Sequence, residues 1–296
     1  MLNLDTIAKK SGLHDESDVS WSDDDVPLHE RGVQVEWLND FIWAAKRELR
    51  EIVEQHQRQQ HASMYPHYVE VPWPSPLPFP VDQEMTSAFI VPNVIRPMTK
   101  VLAAPLFARV PDEYRGRPDL FISHAWSNPL VGNAFAELEA LVSPLAGRGT
   151  TKYAWLDIVC YNQHRVEAIA ADMQAIVASI GRVGIPIINS VPFSRLWCLW
   201  ELLCAHVSQA EIVVYEANGS VYDLGYLAEC FQREFKSVER AVTALPSDRE
   251  NILNAMISTF GSLQNADEHI RQLVIDRLSK DSDKPWKRSA SKMNNQ

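Results

Sequence analysis

The residues with the means to do chemistry lie in three stretches, and one of them contains a carboxylate out of place. Glu201 sits within Ser194-Arg195-Leu196-Trp197-Cys198-Leu199-Trp200-Glu201-Leu202-Leu203-Cys204, amid aromatic and aliphatic neighbours. An ionised group taken out of water costs several kcal/mol unless it is paired or hydrogen-bonded, so Glu201 calls for either a structural partner such as Arg195 or a ligand. The second stretch is Ser123-His124-Ala125-Trp126-Ser127. The third runs from Trp155-Leu156-Asp157 to Cys160-Tyr161-Asn162-Gln163-His164-Arg165. Together they offer hydroxyl, imidazole, indole, amide, guanidinium and carboxylate groups, a set suited to a small polar ligand. Plainer roles exist for each: Trp126 and Trp155 as core or lid residues, Asp157 as a cap or loop partner. A thiolate mechanism would pair Cys160 or Cys198 with His124 or His164. However, Cys198 lies inside a hydrophobic helix, and no nucleophile turn surrounds either cysteine. Cys198, Cys204 and His206 match no common zinc spacing, and no metal is expected.

The elements that must position these groups alternate. Leu120 to Ser123 reads as a strand, Asn133 to Leu145 as a helix, Tyr153 to Val159 as a strand and Arg165 to Ile180 as a helix. Ile185 to Ile188 follows as a strand, Arg195 to His206 as a helix capped by Ser194, and Ile212 to Tyr215 as a strand. This order predicts an α/β fold: a parallel sheet with helices on both faces. Ligands bind such sheets beyond the carboxyl ends of the strands, so the three stretches should line one crevice. Glu201 should face it one helical turn after Trp197, with Leu199 and Leu203 turned to the sheet.

Around this core, at 112–220, the chain carries extensions. Residues 1–30 are acidic and polar, with Asp15, Glu16, Asp18 and Asp23 to Asp25 crowded together, which predicts disorder. The next block, 31–111, is helical and proline-rich. An amphipathic helix runs from Val33 to His61, an extended strap spans Pro66 to Pro80, and a helix within 81–117 is broken near Pro92 and Pro97. Residues 221–280 form a C-terminal helical extension, with helices over Tyr222 to Val238 and Arg249 to Leu278, before a polar, disordered tail at 281–296.

The formal net charge of -10 argues against a nucleic-acid partner, and 296 residues with 46% hydrophobic content can bury a large core. No apolar run approaches the ~18 residues of a membrane span, and Met1 to Asp25 lacks the parts of a signal peptide. Four cysteines without paired spacing suit reduced thiols. The expected setting is the cytoplasm, away from membranes.

At the candidate residues the chain resembles a family. Phe121-Ile122-Ser123-His124 resembles the first-strand motif of Toll/interleukin-receptor (TIR) domains, and Trp197-Cys198-Leu199-Trp200-Glu201-Leu202 the W-C-x-x-E-L helix of plant and bacterial members. Trp155 to Gln163 is similar to the W-x-D-x-x-C-x-N-Q segment of the related fungal heterokaryon-incompatibility (HET) domain. His124-Ala125-Trp126 departs from the small or basic residues usual there. The resemblance, over about residues 118–216, implies a flavodoxin-like TIR fold. It also implies cleavage of NAD at the nicotinamide-ribosyl bond, as a glycohydrolase or ADP-ribose cyclase in signalling or defence, with Glu201 catalytic and NAD as substrate, not cofactor. Ser123, His124, Asp157 and Trp197 then belong to the substrate site. By loop position, Trp126 would stack on adenine or nicotinamide, Arg165 or Arg195 meet phosphate, and Asn162 or Gln163 hydrogen-bond the sugar. The alternatives are a non-catalytic TIR adaptor acting through protein assembly, homo-oligomers included, and a cysteine hydrolase.

Overall fold

Leu120-Phe121-Ile122, a run of three buried apolar residues, forms the strand from which the rest of the sheet is built. In a computed structural model of the chain, the structure describes residues 2–22, 24–63, 86–127, 153–165, 169–187, 191–216, 231–243 and 246–280. The strap at 66–80, the helix expected over 133–145 and the tail at 281–296 lie outside them. The strands are β1 (Gly32–Gln34), β2 (Arg115–Gly116), β3 (Leu120–Ile122), β4 (Tyr153–Trp155), β5 (Arg182–Ile187) and β6 (Glu211–Glu216). Their order across the sheet is β2-β1-β4-β3-β5-β6. β4, β3, β5 and β6 run parallel, and Phe121 stacks on Trp155 with ring centroids 4.8 Å apart. The direction in which strands are added reverses at β3, which makes the carboxyl ends of β3 and β5 the place for a ligand.

The sheet is mixed, not parallel throughout as expected. β1, from the block assigned to a helical extension, pairs antiparallel with β4 and with β2. Two glycines permit this edge. A Cβ on Gly32 would lie 2.5 Å from the carbonyl oxygen of Gly116, and one on Gly116 would lie 2.6 Å from the Tyr153 ring. β4 is also shorter than predicted. Its chain turns after Trp155 into a helical turn, α5 (Asp157–Cys160), because the Asp157 Oδ1 accepts the Ile158 N–H at 2.7 Å and the Leu156 carbonyl accepts from Val159 and Cys160.

The other helices are α1 (Leu4–Lys10), α2 (Val35–Ser63), α3 (Ser87–Ile90), α4 (Arg96–Met98), α6 (Ile169–Ile180), α7 (Leu196–Val207), α8 (Pro246–Phe260) and α9 (Leu263–Lys280). None among the described residues is long and apolar enough to cross a membrane. Where disorder was expected, the described residues of 1–30 include a short helix and contacts to the rest of the chain. α1 is capped by Asn3 and buries Ile7 completely, Trp37 donates its indole N–H to the Ser11 carbonyl, and Glu16 accepts the N–H groups of Val101 and Leu102. A few apolar residues outweigh the crowded charges because the acids point outward or cap other backbone.

Pro92 and Pro97 do not break their helix. Between α3 and α4 the backbone passes through a π-helical turn, Val91–Ile95, in which the Arg96 N–H reaches the carbonyl of Val91. The wider turn absorbs residues that lack an N–H. At the other end of the chain, the single helix expected over Arg249 to Leu278 is two. Gly261 ends α8 with φ +79° and Ser262 caps α9 through the Asn265 N–H. Of Tyr222 to Val238, the described part is helical only over 231–234.

α7 packs against α6, α8, α9 and β5, so every residue from Cys198 to Ala205 is buried, Leu199 and Leu203 completely. Its cap differs from expectation. Arg195 holds the cap position without a side-chain bond, Ser194 belongs to the preceding 3-10 turn, and the Leu196 N–H is satisfied by the Val242 carbonyl at 3.0 Å.

Candidate active site

β3 delivers Ser123 and α7 delivers Glu201 to the same point. The Ser123 N–H bonds the Gly184 carbonyl of β5 at 2.9 Å, which fixes the residue just past the strand, and its Oγ donates to Glu201 Oε2 at 2.5 Å. Glu201 is only 6% exposed and has no ion pair among the described residues. The ion pair with Arg195 weighed from the sequence is therefore not formed. Burial holds the Glu201 carboxyl well above the usual carboxylate range; the Ser123 hydrogen bond opposes that rise and the negative charge of Asp157 adds to it.

A cavity of about 320 Å³ opens at this point, lined by Glu201, His124, Trp126, Asp157, Gln163, Arg195 and Trp197 among others. Seven of the ten residues singled out from the sequence thus line one space at the carboxyl ends of the parallel strands. Ser123, itself 1% exposed, stands behind Glu201.

Asp157 organises the wall opposite. Its Oδ2 accepts the Trp126 indole N–H at 2.7 Å, and its backbone carbonyl accepts the Gln163 side-chain amide at 2.8 Å. That amide also donates to the Tyr161 carbonyl at 3.4 Å, which orients it and leaves Gln163 Oε1 buried without a partner among the described residues. His124 lies between Asp157, with Nδ1 3.8 Å from Oδ1, and Ser87, whose Oγ is 2.6 Å from Nε2. Burial lowers the His124 pKa against the pull of Asp157 and so favours the neutral ring. The row Ser87, His124, Asp157 has the order of a hydrolase triad but not its access. Ser87 is fully buried, and 3.8 Å is too long for the second hydrogen bond.

Two candidates stand elsewhere. Asn162 is turned into the protein, its amide donating to the Ala103 carbonyl at 2.7 Å and its oxygen accepting the His164 N–H at 3.0 Å. Arg165 is exposed and does not line the cavity. Conversely, Ala88, Val91, Pro92 and Arg96 of the helical run before β2 line it, as does Asp248, which accepts the Trp197 indole N–H at 3.0 Å. Only the spacing of those residues within a proline-flanked helix was visible beforehand, and it says nothing of where the helix docks.

The thiols among the described residues offer no nucleophile. Cys160, Cys198 and Cys204 are buried, and burial pushes all three upward, Cys160 to about 12. No group of His, Cys, Asp and Glu among the described residues has the geometry to hold a metal ion. Comparison with protein-family models, curated proteins and solved structures finds no match.

Proposed function

We propose that the chain is a TIR-like NAD-consuming enzyme that cleaves the nicotinamide-ribosyl bond, with Glu201 carrying the chemistry. The observation that supports this most is a buried carboxyl group, free of any ion pair among the described residues, facing a ligand-sized cavity at the strand ends. The parallel strands, taken in chain order, lie second, first, third, fourth across the sheet, an arrangement compatible with a flavodoxin-like fold, and this supports the reading.

The chemistry follows from charge. NAD carries a positive pyridinium ring, and a cation close to a buried carboxyl favours its ionised form. Burial alone favours the proton; substrate shifts the balance toward the carboxylate, helped by the Ser123 hydroxyl. As the bond between ribose C1′ and the ring nitrogen breaks, its electron pair goes to the ring, which leaves as neutral nicotinamide, and positive charge moves to the ribose. A carboxylate already in place stabilises that charge without reorganising solvent. Water adds to C1′ and a proton is released, giving ADP-ribose; a nucleophilic nitrogen of the adenine in its place gives a cyclic product. Trp126, held by Asp157, provides an aromatic face at the cavity wall for a planar ring. The test is release of nicotinamide from NAD by the purified chain.

A further inference from the structure

We infer that the segment preceding the parallel core completes the ligand site, and that its Arg96 joins Arg195 in binding the diphosphate of the substrate. This rests on the NAD reading of the same cavity and extends it to residues outside the motifs that suggested it.

The segment is docked, not merely adjacent. The Ala88 N–H donates to the Trp126 carbonyl at 3.0 Å, the Ser87 hydroxyl meets His124, and Thr86 caps the helix start through the Phe89 N–H. The π turn at Val91–Ile95 then resets the helical register immediately before Arg96. Such turns cost hydrogen-bond geometry and are frequent at functional sites. Here the turn places Val91, Pro92 and Arg96 along the cavity.

The charges along the cavity are unevenly satisfied. Its carboxylates are each engaged by a neutral donor: Glu201 by Ser123, Asp157 by Trp126 and Asp248 by Trp197. Its arginines are not neutralised. Neither Arg96 nor Arg195 has an ion pair among the described residues, although acids outnumber lysine and arginine in the chain by 38 to 28. Arg96 donates its Nε–H to the Gln163 carbonyl at 3.0 Å, which anchors the guanidinium; its two terminal nitrogens have no partner among the described residues and suit an anion. Gln163, whose backbone carbonyl holds Arg96, lines the same cavity, and its side-chain Oε1 is buried without a partner among the described residues. Arg96 is exposed where Glu201 is buried, so the diphosphate lies toward the mouth and the scissile bond inside.

The experiment compares wild type, Arg96→Gln and Arg96→Lys, with nicotinamide release from NAD as the assay and nicotinamide riboside, which lacks phosphate, as a competitor. Charged hydrogen bonds to a diphosphate predict that Arg96→Gln raises KM for NAD roughly 10-fold or more with kcat little changed. The inhibition constant of the riboside should stay as in wild type, and Arg96→Lys should recover most of the loss. An unchanged KM for NAD in Arg96→Gln, or an equal weakening of NAD and the riboside, overturns the inference while the NAD reading stands. Absence of both turnover and NAD binding in wild type itself overturns the two together. Melting temperatures within a degree or two of wild type, as expected for an exposed residue, exclude unfolding as the cause.

Discussion

A carboxyl group enclosed by protein prefers its proton, and this makes Glu201 a source of pH dependence even before any substrate is present. Its folded-state pKa is raised, first by burial and also by Asp157, with only the Ser123 bond opposing. Between the ordinary carboxyl value near 4.5 and that raised value, the folded chain binds a proton that the unfolded chain has lost. Stability from this group is complete below the ordinary value and declines as pH rises through the raised one, by up to about 1.4 kcal/mol per pH unit. Glu201→Gln keeps the shape and an acceptor for Ser123 but has no proton to lose. Its melting temperature should match wild type at pH 5 and equal or exceed it at pH 8. A variant destabilised alike at both values would show a structural carboxylate instead. At this scale the sequence was informative where the residue type itself was anomalous. A lone acid among tryptophans and leucines pointed to Glu201 and, through the strand before it, to Ser123. It could not separate Asn162 from Gln163, because adjacent residues of a loop face different ways and spacing does not say which faces inward.

Elements were legible where periodicity ran long enough to speak. The strand at 120–122, the helix α2 and the helix α7 all follow from their apolar pattern. What escaped were features decided by close approach. No apolar spacing marks Gly32 and Gly116, yet they let two strands of the N-terminal region close the edge of the sheet. Proline read as a helix breaker, yet a π turn carries the chain through Pro92 and Pro97 to Arg96. Gly32→Ala tests the first point. The new Cβ would meet the Gly116 carbonyl oxygen at 2.5 Å and the Pro118 nitrogen at 2.8 Å, both backbone atoms that cannot rotate aside. Overpacking of this kind costs about 1–3 kcal/mol, and the melting temperature should fall accordingly. An unchanged melting temperature would mean that the β1–β2 edge contributes nothing to stability.

Across the whole molecule, one hydrophobic core cluster takes in residues from Ile7 to Val274. Leu38, Phe41, Ile42 and Ala45 of α2 are wholly buried in it, and Arg109 ties His14 and Met98 together through their carbonyls. Composition saw acidic and proline-rich blocks; it could not see that a few buried side chains bind them to the sheet. A chain beginning at Asp112 should therefore aggregate or melt at least ~10 °C lower, since each large buried side chain contributes about 1.5–3 kcal/mol. A soluble fragment with the melting temperature of the full chain would show the first 111 residues to be an independent module. The role of Glu201 is tested by nicotinamide release from NAD by wild type and Glu201→Gln side by side, each confirmed folded. If Glu201 carries the chemistry, wild type turns NAD over and the variant loses at least tenfold, about 1.4 kcal/mol of transition-state stabilisation. Equal rates in the two proteins would contradict it.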